Sequence, residues 1–148
     1  SLLMSNNDEF SKEAVKGNEL IAQLLEDQLI DLEERGVKVI RNIKETNSVL
    51  LVNVGLLQRL FENIFSNIEK YADLTREIFV EYYLKDNDLV VRIANYKKKR
   101  DLNSSSSKIG LKNCKSIVEI HQGYLKVQNE EDMFILELGL KCAHEMES

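Results

Sequence analysis

The chain has 148 residues, of which 43% are hydrophobic and 30% are charged. This length and composition predict one globular domain that removes about two-thirds of its unfolded surface from water. A formal net charge of −5 and an isoelectric point of about 5.2 exclude a general positive field of the kind that holds nucleic acid or an anionic membrane. Partners must therefore be recognised through local features.

Cysteine and histidine spacing indicates neither a metal site nor a disulfide framework. Cys114, Cys142, His121 and His144 lie at distances along the chain unlike those of metal ligands. A reducing cytosol is the simplest setting for such a chain. No apolar run approaches the roughly 18 residues needed to span a bilayer. Because the sequence begins with Ser1 rather than methionine, we expect a fragment whose first residues include a remnant of cloning.

The first predicted element is a helix that follows a polar N-terminal segment. Residues 1–17 are expected to form a flexible N-terminal segment and linker, and Asn18 is the candidate N-cap of the helix. Apolar residues then recur at helical spacing as far as Arg35. Gly36 follows in the position where helices commonly end.

Two strands and a second helix come next. Residues 37–43 and 48–52 are typical of strands separated by a turn. From 56 to 71 the apolar side chains recur every three or four positions, which predicts an amphipathic helix. These side chains are Leu57, Leu60, Phe61, Ile64, Phe65 and Ile68.

Strands are also predicted at 77–84 and 88–94, and Lys85-Asp86-Asn87 between them suits a tight hairpin turn. The mixed apolar pattern of both strands indicates central positions in a sheet. Residues 95–108 have no periodicity and contain a serine run, so we expect a mobile loop.

A helix at 111–120, a closing hairpin at 124–140 and a frayed tail at 142–148 complete the predicted elements. The helix should bury Leu111, Cys114, Ile117 and Val118. Strands and helices do not alternate regularly, which favours an α+β fold: a two-layer sandwich with helices on one face of a mixed sheet, occupying residues 18–141.

A polar stripe runs along the helix predicted at 56–71. Asn63, Asn67 and Lys70 lie within about 40° of one another around its axis, beside the apolar face. Asparagine is a poor helix-interior residue, so two of them one turn apart require an explanation. A solvated polar face is one reading. The other is an oxygen ligand for a hard cation beside an ammonium that meets phosphate.

Two motifs resemble those of the histidine-kinase ATPase superfamily. Residues 60–71, LFENIFSNIEKY, resemble its N box, N-x-x-x-N-A-x-K-[YF]. Residues 109–123, IGLKNCKSIVEIHQG, resemble its second glycine box, G-x-G-L-x-x-x-x-x-[IV]-[VM]-x-x-H-x-G. The match spans about 31–140 and implies the Bergerat fold of the ATP-binding catalytic domain of a bacterial sensor histidine kinase.

The resemblance implies a role for each residue of the stripe. Asn67 would coordinate the Mg²⁺ that bridges the phosphates of ATP. Asn63 stands where ATP-hydrolysing relatives carry a glutamate that activates water, and an amide cannot act as that base. Lys70 would contact phosphate, and Tyr71 would lie against the adenine or ribose. A snorkelling lysine and a half-buried core tyrosine remain the alternatives.

The second box implies a phosphate site and a lid. Gly110 should sit just before a helix start, where free backbone N–H groups favour phosphate. Residues 104–107 with Lys108 would form a lid over ATP, although a plain linker has the same composition. The full set expected to contact the nucleotide here is Ser107, Lys108, Ile109, Gly110 and Leu111. The basic run at 97–100 would neutralise phosphate or acidic groups of a response regulator, or form only a solvated loop.

The sequence also departs from the family pattern. The family carries D-x-G-x-G after the second central strand, and its aspartate accepts a hydrogen bond from the adenine amino group. Here Asn95 takes that place and could accept the same bond without a charge. The glycines of that box are missing, no phenylalanine lies between 95 and 110, and the second box keeps Gly110 alone.

His121 lies at the end of the second-box helix, where the family also has histidine, and a cation there would suit the helix C-terminus. The usual phosphoacceptor histidine precedes the N box, and this sequence has none before His121. The implied partners are therefore a dimerisation and phosphoacceptor segment outside this chain and a cognate response regulator. The parent protein could be anchored in the inner membrane.

Three functions fit these residues to different degrees. The first is a kinase domain that binds Mg·ATP and transfers the γ-phosphoryl group to a histidine on that other segment. The alternative is a degenerate regulatory module, a pseudokinase of the same fold that acts through protein contacts, which the altered first box favours. An ATP-hydrolysing relative is disfavoured by Asn63.

Overall fold

A computed structural model describes residues 11–44, 47–98 and 105–143, with the backbone alone described for 105–110. In this part of the chain the helices are α1 (Gly17–Glu34), α2 (Val54–Tyr71) and α3 (Ser105–Ile120). The strands are β1 (Glu13–Lys16), β2 (Val39–Ile43), β3 (Val49–Val52), β4 (Ile78–Lys85), β5 (Asp88–Tyr96), β6 (Tyr124–Asn129) and β7 (Met133–Lys141).

Five strands form one sheet in the order β2-β4-β5-β7-β6. β2 runs parallel to β4 and the other neighbours are antiparallel, so the sheet is mixed. The hairpins predicted at β4–β5 and β6–β7 are both confirmed, as are the central positions of β4 and β5. Asp86, with φ of 57°, takes the left-handed conformation in the first of these turns.

The helices cover one face of the sheet. Every second residue of the three inner strands is buried in a single core with the helices, as period-two alternation requires. These residues are Ile78, Val80, Tyr82, Leu89, Val91, Ile93, Leu136, Leu138 and Leu140. Side chains on the other face, such as Phe79, Glu81 and Arg92, are only half-buried. The predicted α+β two-layer sandwich is therefore confirmed.

The first helix begins two residues earlier than predicted and without a side-chain cap. Lys16 occupies the N-cap position and makes no capping bond, so the assignment of Asn18 as the cap is wrong. The Gly17 N–H instead donates to the Ser48 carbonyl oxygen at 2.9 Å. A tertiary hydrogen bond thus satisfies a helix donor that local chemistry was expected to satisfy. Gly36 ends the helix as predicted, with φ of 94°.

Parts of both expected flexible ends are ordered. β1, within the range 1–17, pairs antiparallel with β3 from Glu13↔Val52 to Lys16↔Val49. At the other end, the Cys142 N–H donates to Asn87 O at 2.9 Å and the Ala143 N–H to Val49 O at 2.7 Å. The tail expected to fray from 142 is therefore bonded at its first two residues, and 144–148 lie outside the described residues.

The strands predicted at 37–43 and 48–52 lie in different sheets. β2 pairs with β4, whereas β3 pairs with β1. β2 is an edge strand, and Arg41 joins it to α1 by paired hydrogen bonds of 2.8–2.9 Å to the carboxylates of Glu26 and Glu33. Such bidentate contacts fix the orientation of the guanidinium as well as its position.

Candidate functional site

The predicted polar stripe lies on α2 next to the core. α2 is capped by Asn53, whose Oδ1 accepts the Leu56 N–H at 2.9 Å. The apolar residues predicted to line one face of this helix are all buried. Asn63 and Asn67 are half-buried at the border of that face, and Lys70 is exposed one turn further on. The three polar groups thus lie along the accessible margin of one rigid element.

The end of α2 is joined to the end of β5. Ala72 forms a β-bridge with Lys97, and the Asp73 N–H donates to Tyr96 O at 2.8 Å. The Lys98 N–H donates to Tyr71 O at 3.1 Å. Tyr71, at the end of the N-box motif, is therefore beside residues of the altered first box.

Asn95 occupies a buried position at this junction, with 3% of its surface exposed. Its Nδ2 donates to the Tyr96 carbonyl oxygen at 2.9 Å, the same oxygen that accepts the Asp73 N–H. This bond fixes which way the amide points. One N–H of the amide nitrogen is used by the backbone, and the oxygen is the acceptor end of the side chain.

Two lysines of the basic run have structural partners. The Lys98 Nζ donates to Lys70 O at 2.9 Å, which places a cation at the C-terminal end of α2 where the helix dipole favours it. The Lys97 Nζ donates to Asn129 Oδ1 at 2.7 Å. At these two positions the lysines make structural contacts, and the expected role in neutralising phosphate stays a prediction. Lys99 and Arg100 lie outside the described residues.

The second-box helix starts earlier than the motif predicts. α3 begins at Ser105, so Gly110 is an interior helix residue rather than the residue before a helix start. Ser107, Lys108 and Ile109 belong to the same helix, which replaces the expected lid over these positions. Nothing between 105 and 109 breaks a helix, and one interior glycine costs only about 1 kcal/mol relative to alanine. Ser104 lies outside the described residues.

α2 and α3 pack antiparallel, and their alignment is regular. The Asn53 N–H contacts the His121 ring at 3.0 Å, and seven residues along, the Cys114 thiol lies 4.0 Å from Leu60 O. Residue numbers in α3 thus fall as those in α2 rise. Continuing by the same rise per residue puts Asn63 level with Leu111 and Asn67 level with Ser107.

The buried face of α3 agrees with the sequence prediction. Cys114, Ile117 and Val118 are buried and Leu111 is half-buried against the core. The side chains of 105–110 lie outside the description. The backbone of this stretch supplies the free N–H groups of a helix N-terminus at Ser105 and the residues after it, about one and a half turns before Gly110.

His121 is a neutral structural residue, not the helix-terminal cation expected. It is 5% exposed, its Nε2 accepts the Asn53 N–H at 3.0 Å, and Nδ1 lies 2.9 Å from Ile117 O. These partners require the tautomer that carries its proton on Nδ1. Burial lowers the pKa of His121, because the charged imidazolium would lose its hydration and the Asn53 bond.

A cation does lie at this helix end, but it comes from the far end of the chain. The Lys12 Nζ donates to Ile120 O at 2.8 Å, across 108 residues of sequence. Sequence analysis missed both Lys12 and Asn53. Asn53 could have been found, because an asparagine directly before an amphipathic run is a typical N-cap. The Lys12 contact has no local pattern.

Proteins of known class resemble this chain in sequence and fold. The sequence is 24% identical to the sensor histidine kinase YrkQ of Bacillus subtilis (strain 168) over 135 residues, 90% of this chain and 31% of that protein. The catalytic domain of histidine kinase ThkA superposes with a TM-score of 0.70 at 13% identity, covering 88% of this chain and 96% of that one. Full-length ShkA in complex with AMPPNP gives a TM-score of 0.73 at 15% identity, covering 97% and 34%. No family model matches the chain.

The chain therefore has the fold of the ATP-binding catalytic domain of histidine kinases, and the resemblance carried by the two motifs is confirmed. It spans about a third of the curated relative that it matches. No helix in the described part of the chain has the length and apolarity to cross a membrane. Among the same residues, no group of three or more His, Cys, Asp or Glu side chains is placed to share a metal ion.

Proposed function

We propose that this chain binds Mg·ATP between α2, the end of β5 and the start of α3, and acts as the catalytic domain of a sensor histidine kinase. One observation carries the proposal. The antiparallel alignment of α2 with α3 brings Asn63 and Asn67 level with residues 107–111. By this alignment, residues 40 to 48 positions apart along the chain lie level at one end of the helix pair, and both motifs contribute to that end.

A magnesium ion fits the donors at this end. Asn67 offers one amide oxygen, a hard donor of the kind that Mg²⁺ takes. Mg²⁺ usually keeps several waters and shares its shell with nucleotide phosphates, so a single protein ligand is sufficient. When bound, the ion would neutralise charge on the phosphates. Asn67 would hold it in place at the half-buried margin of α2.

Phosphate contacts are available on both sides of Asn67. Lys70 is exposed on the same stripe and supplies a mobile point charge. The first turn of α3 supplies backbone N–H groups and the positive end of the helix dipole. These N–H groups lie at Ser105 and the residues after it, whereas the motif led us to expect them directly after Gly110.

Asn95 would select adenine over guanine. Because its Nδ2 is committed to Tyr96 O, the amide oxygen is the end left to accept a hydrogen bond. Adenine offers an amino group there, and guanine offers a carbonyl oxygen that cannot donate. Tyr71, at the adjoining end of α2, would lie against the base or ribose.

The reaction we propose is transfer of the γ-phosphoryl group to a histidine on a dimerisation segment outside this chain, followed by relay to a response regulator. A neutral imidazole nitrogen is itself the nucleophile, so the domain needs no general base. The amide of Asn63 cannot activate water, which favours transfer over hydrolysis. His121 cannot be the acceptor, because it is buried and both ring nitrogens have partners.

Calorimetric titration with a non-hydrolysable ATP analogue tests this function. We expect saturable binding that strengthens with Mg²⁺, and at least about tenfold weaker binding of the matching GTP analogue, since a mismatched purine leaves a buried acceptor unpaired. An affinity for the ATP analogue that is the same with and without Mg²⁺ would contradict the role of Asn67. Equal binding of both purines would contradict the role of Asn95.

A pseudokinase of the same fold is the second candidate. The uncharged Asn95, the missing glycines after it and the position of Gly110 inside α3 favour this alternative. Such a module would act through protein contacts alone. If the chain unfolds cooperatively but gives no heat of binding at millimolar nucleotide, the pseudokinase is favoured over the kinase.

A further inference from the structure

The N-terminal strap, residues Ser11–Lys16, is fixed to the ends of both helices that carry the proposed site. Its strand β1 pairs with β3, which leads directly into α2. The Ser11 carbonyl oxygen accepts the Asn53 Nδ2 at 2.9 Å, at the start of α2. The Lys12 Nζ donates to Ile120 O at 2.8 Å, at the end of α3. One short segment thus spans the end of the helix pair where α2 begins and α3 ends, which we call the closed end; the opposite end is the open end.

Asn53 joins the strap to both helices at once. Its Oδ1 caps α2 by accepting the Leu56 N–H, and its Nδ2 donates to the strap. Its backbone N–H donates to Nε2 of His121, the residue directly after α3. Each of these groups has one partner at 2.9 or 3.0 Å. Movement of the strap would therefore change the distance between the start of α2 and the end of α3.

The proposed nucleotide site lies at the opposite end of the same helix pair. Thirteen residues separate Ile120 from Ser107, a distance of about 20 Å along the axis. Two rigid helices that are joined at one end transmit a change in crossing angle to the other end. The gap between Asn67 and the first turn of α3 is the quantity that such a change would alter.

We infer that Lys12 and Asn53 are positioning residues for the nucleotide site, through which the N-terminal side of the chain sets the gap between α2 and α3. This inference rests on the proposed nucleotide binding. Neither residue touches the nucleotide. Their effect is to hold the closed end of the helix pair in the arrangement in which the open end fits Mg·ATP.

Two substitutions release the strap without removing the helix cap. Lys12→Met removes the donor to Ile120 O and keeps the aliphatic stem. Asn53→Asp keeps the oxygen that caps α2 and removes the Nδ2 donor to Ser11 O. Because a net hydrogen bond is worth a factor of roughly three to ten, we expect each to weaken Mg·ATP-analogue binding by about that factor. Titrations are run well below the unfolding transition of every variant.

Matched variants separate positioning from general stability. Lys12→Arg retains a donor for Ile120 O and should restore the affinity. Lys16→Met removes another lysine of the strap. Its ion pair with Glu19 is long, 3.9 Å, and exposed, so affinity should not change. Wild-type affinity in both Lys12→Met and Asn53→Asp would overturn the inference.

If the unaltered chain binds no nucleotide, the proposed function fails and amide hydrogen exchange decides the inference alone. In that case Lys12→Met should speed exchange in residues 105–111 about three- to tenfold, and Lys16→Met should not. Equal exchange of these residues in the two variants would overturn the positioning role.

Discussion

Asn67→Ala is expected to weaken Mg²⁺-dependent nucleotide binding by about 10- to 100-fold, the range for losing a charge-assisted contact of roughly 1.5–3 kcal/mol. The amide oxygen is the donor we assign to the ion, and alanine offers none. Alanine is also the better helix former, so the free energy of unfolding should not fall. Titration with an ATP analogue, with and without Mg²⁺, measures the effect.

Gln58→Ala is the control for Asn67→Ala. Gln58 is an exposed polar residue of the same helix, more than two turns from Asn67 toward the end where the strap lies. Its replacement should leave binding unchanged. The ligand assignment is wrong if Asn67→Ala keeps the full strengthening of binding by Mg²⁺ while remaining folded.

Gly123→Ala should destabilise the domain by several kcal/mol, about 3 or more. A Cβ at this position would overlap the backbone carbonyl oxygen of Gly139 and press on Val118 at 3.1 Å. Backbone cannot swing aside as a side chain can. The β6–β7 hairpin would have to move away from α3, and the midpoint of urea unfolding would show the loss.

Gly55→Ala is the matched control for that substitution. Gly55 is exposed in the first turn of α2, and a Cβ there would meet only Asn53 Oδ1, at an ordinary 3.5 Å. We expect a gain of about 0.5 kcal/mol, because alanine narrows the unfolded ensemble. A Gly123→Ala variant as stable as Gly55→Ala would mean that the close approach of Gly123 to β7 does not constrain the hairpin.

The elements that the sequence predicted well are those with a local signal. The spacing of Leu57, Leu60 and Ile64 alone determines which face of α2 is buried, and all three are buried. The hairpin at Asp86 follows from turn chemistry between two alternating runs. The mixed apolar pattern of its two strands indicated central positions, and each strand has a neighbour on both sides.

The elements that could not be predicted from the sequence depend on contacts between distant residues. Lys12 reaches Ile120 across 108 positions, and no periodicity records such a bond. The strand β1 exists because β3 offers it an edge, and a short polar segment carries no strand pattern of its own.

Gly110 was misplaced for a different reason. The motif predicted a glycine before a helix, whereas the helix begins five residues earlier, at Ser105, and continues past Gly110. Of the candidate site, the residues on α2 could therefore be identified from the sequence. The part on α3 could not be placed without its packing against Leu60 and Asn53.

Mapping of backbone amide shifts would locate the nucleotide, which we propose binds where the end of α2 lies beside the start of α3. The isotope-labelled chain is titrated with the Mg²⁺ complex of a non-hydrolysable ATP analogue. We expect saturable shifts concentrated at Asn63, Asn67, Lys70, Asn95 and residues 105–111, with the outer face around Phe79 and Arg92 unchanged. Shifts centred on that outer face, or no saturable shifts at millimolar ligand, would contradict it.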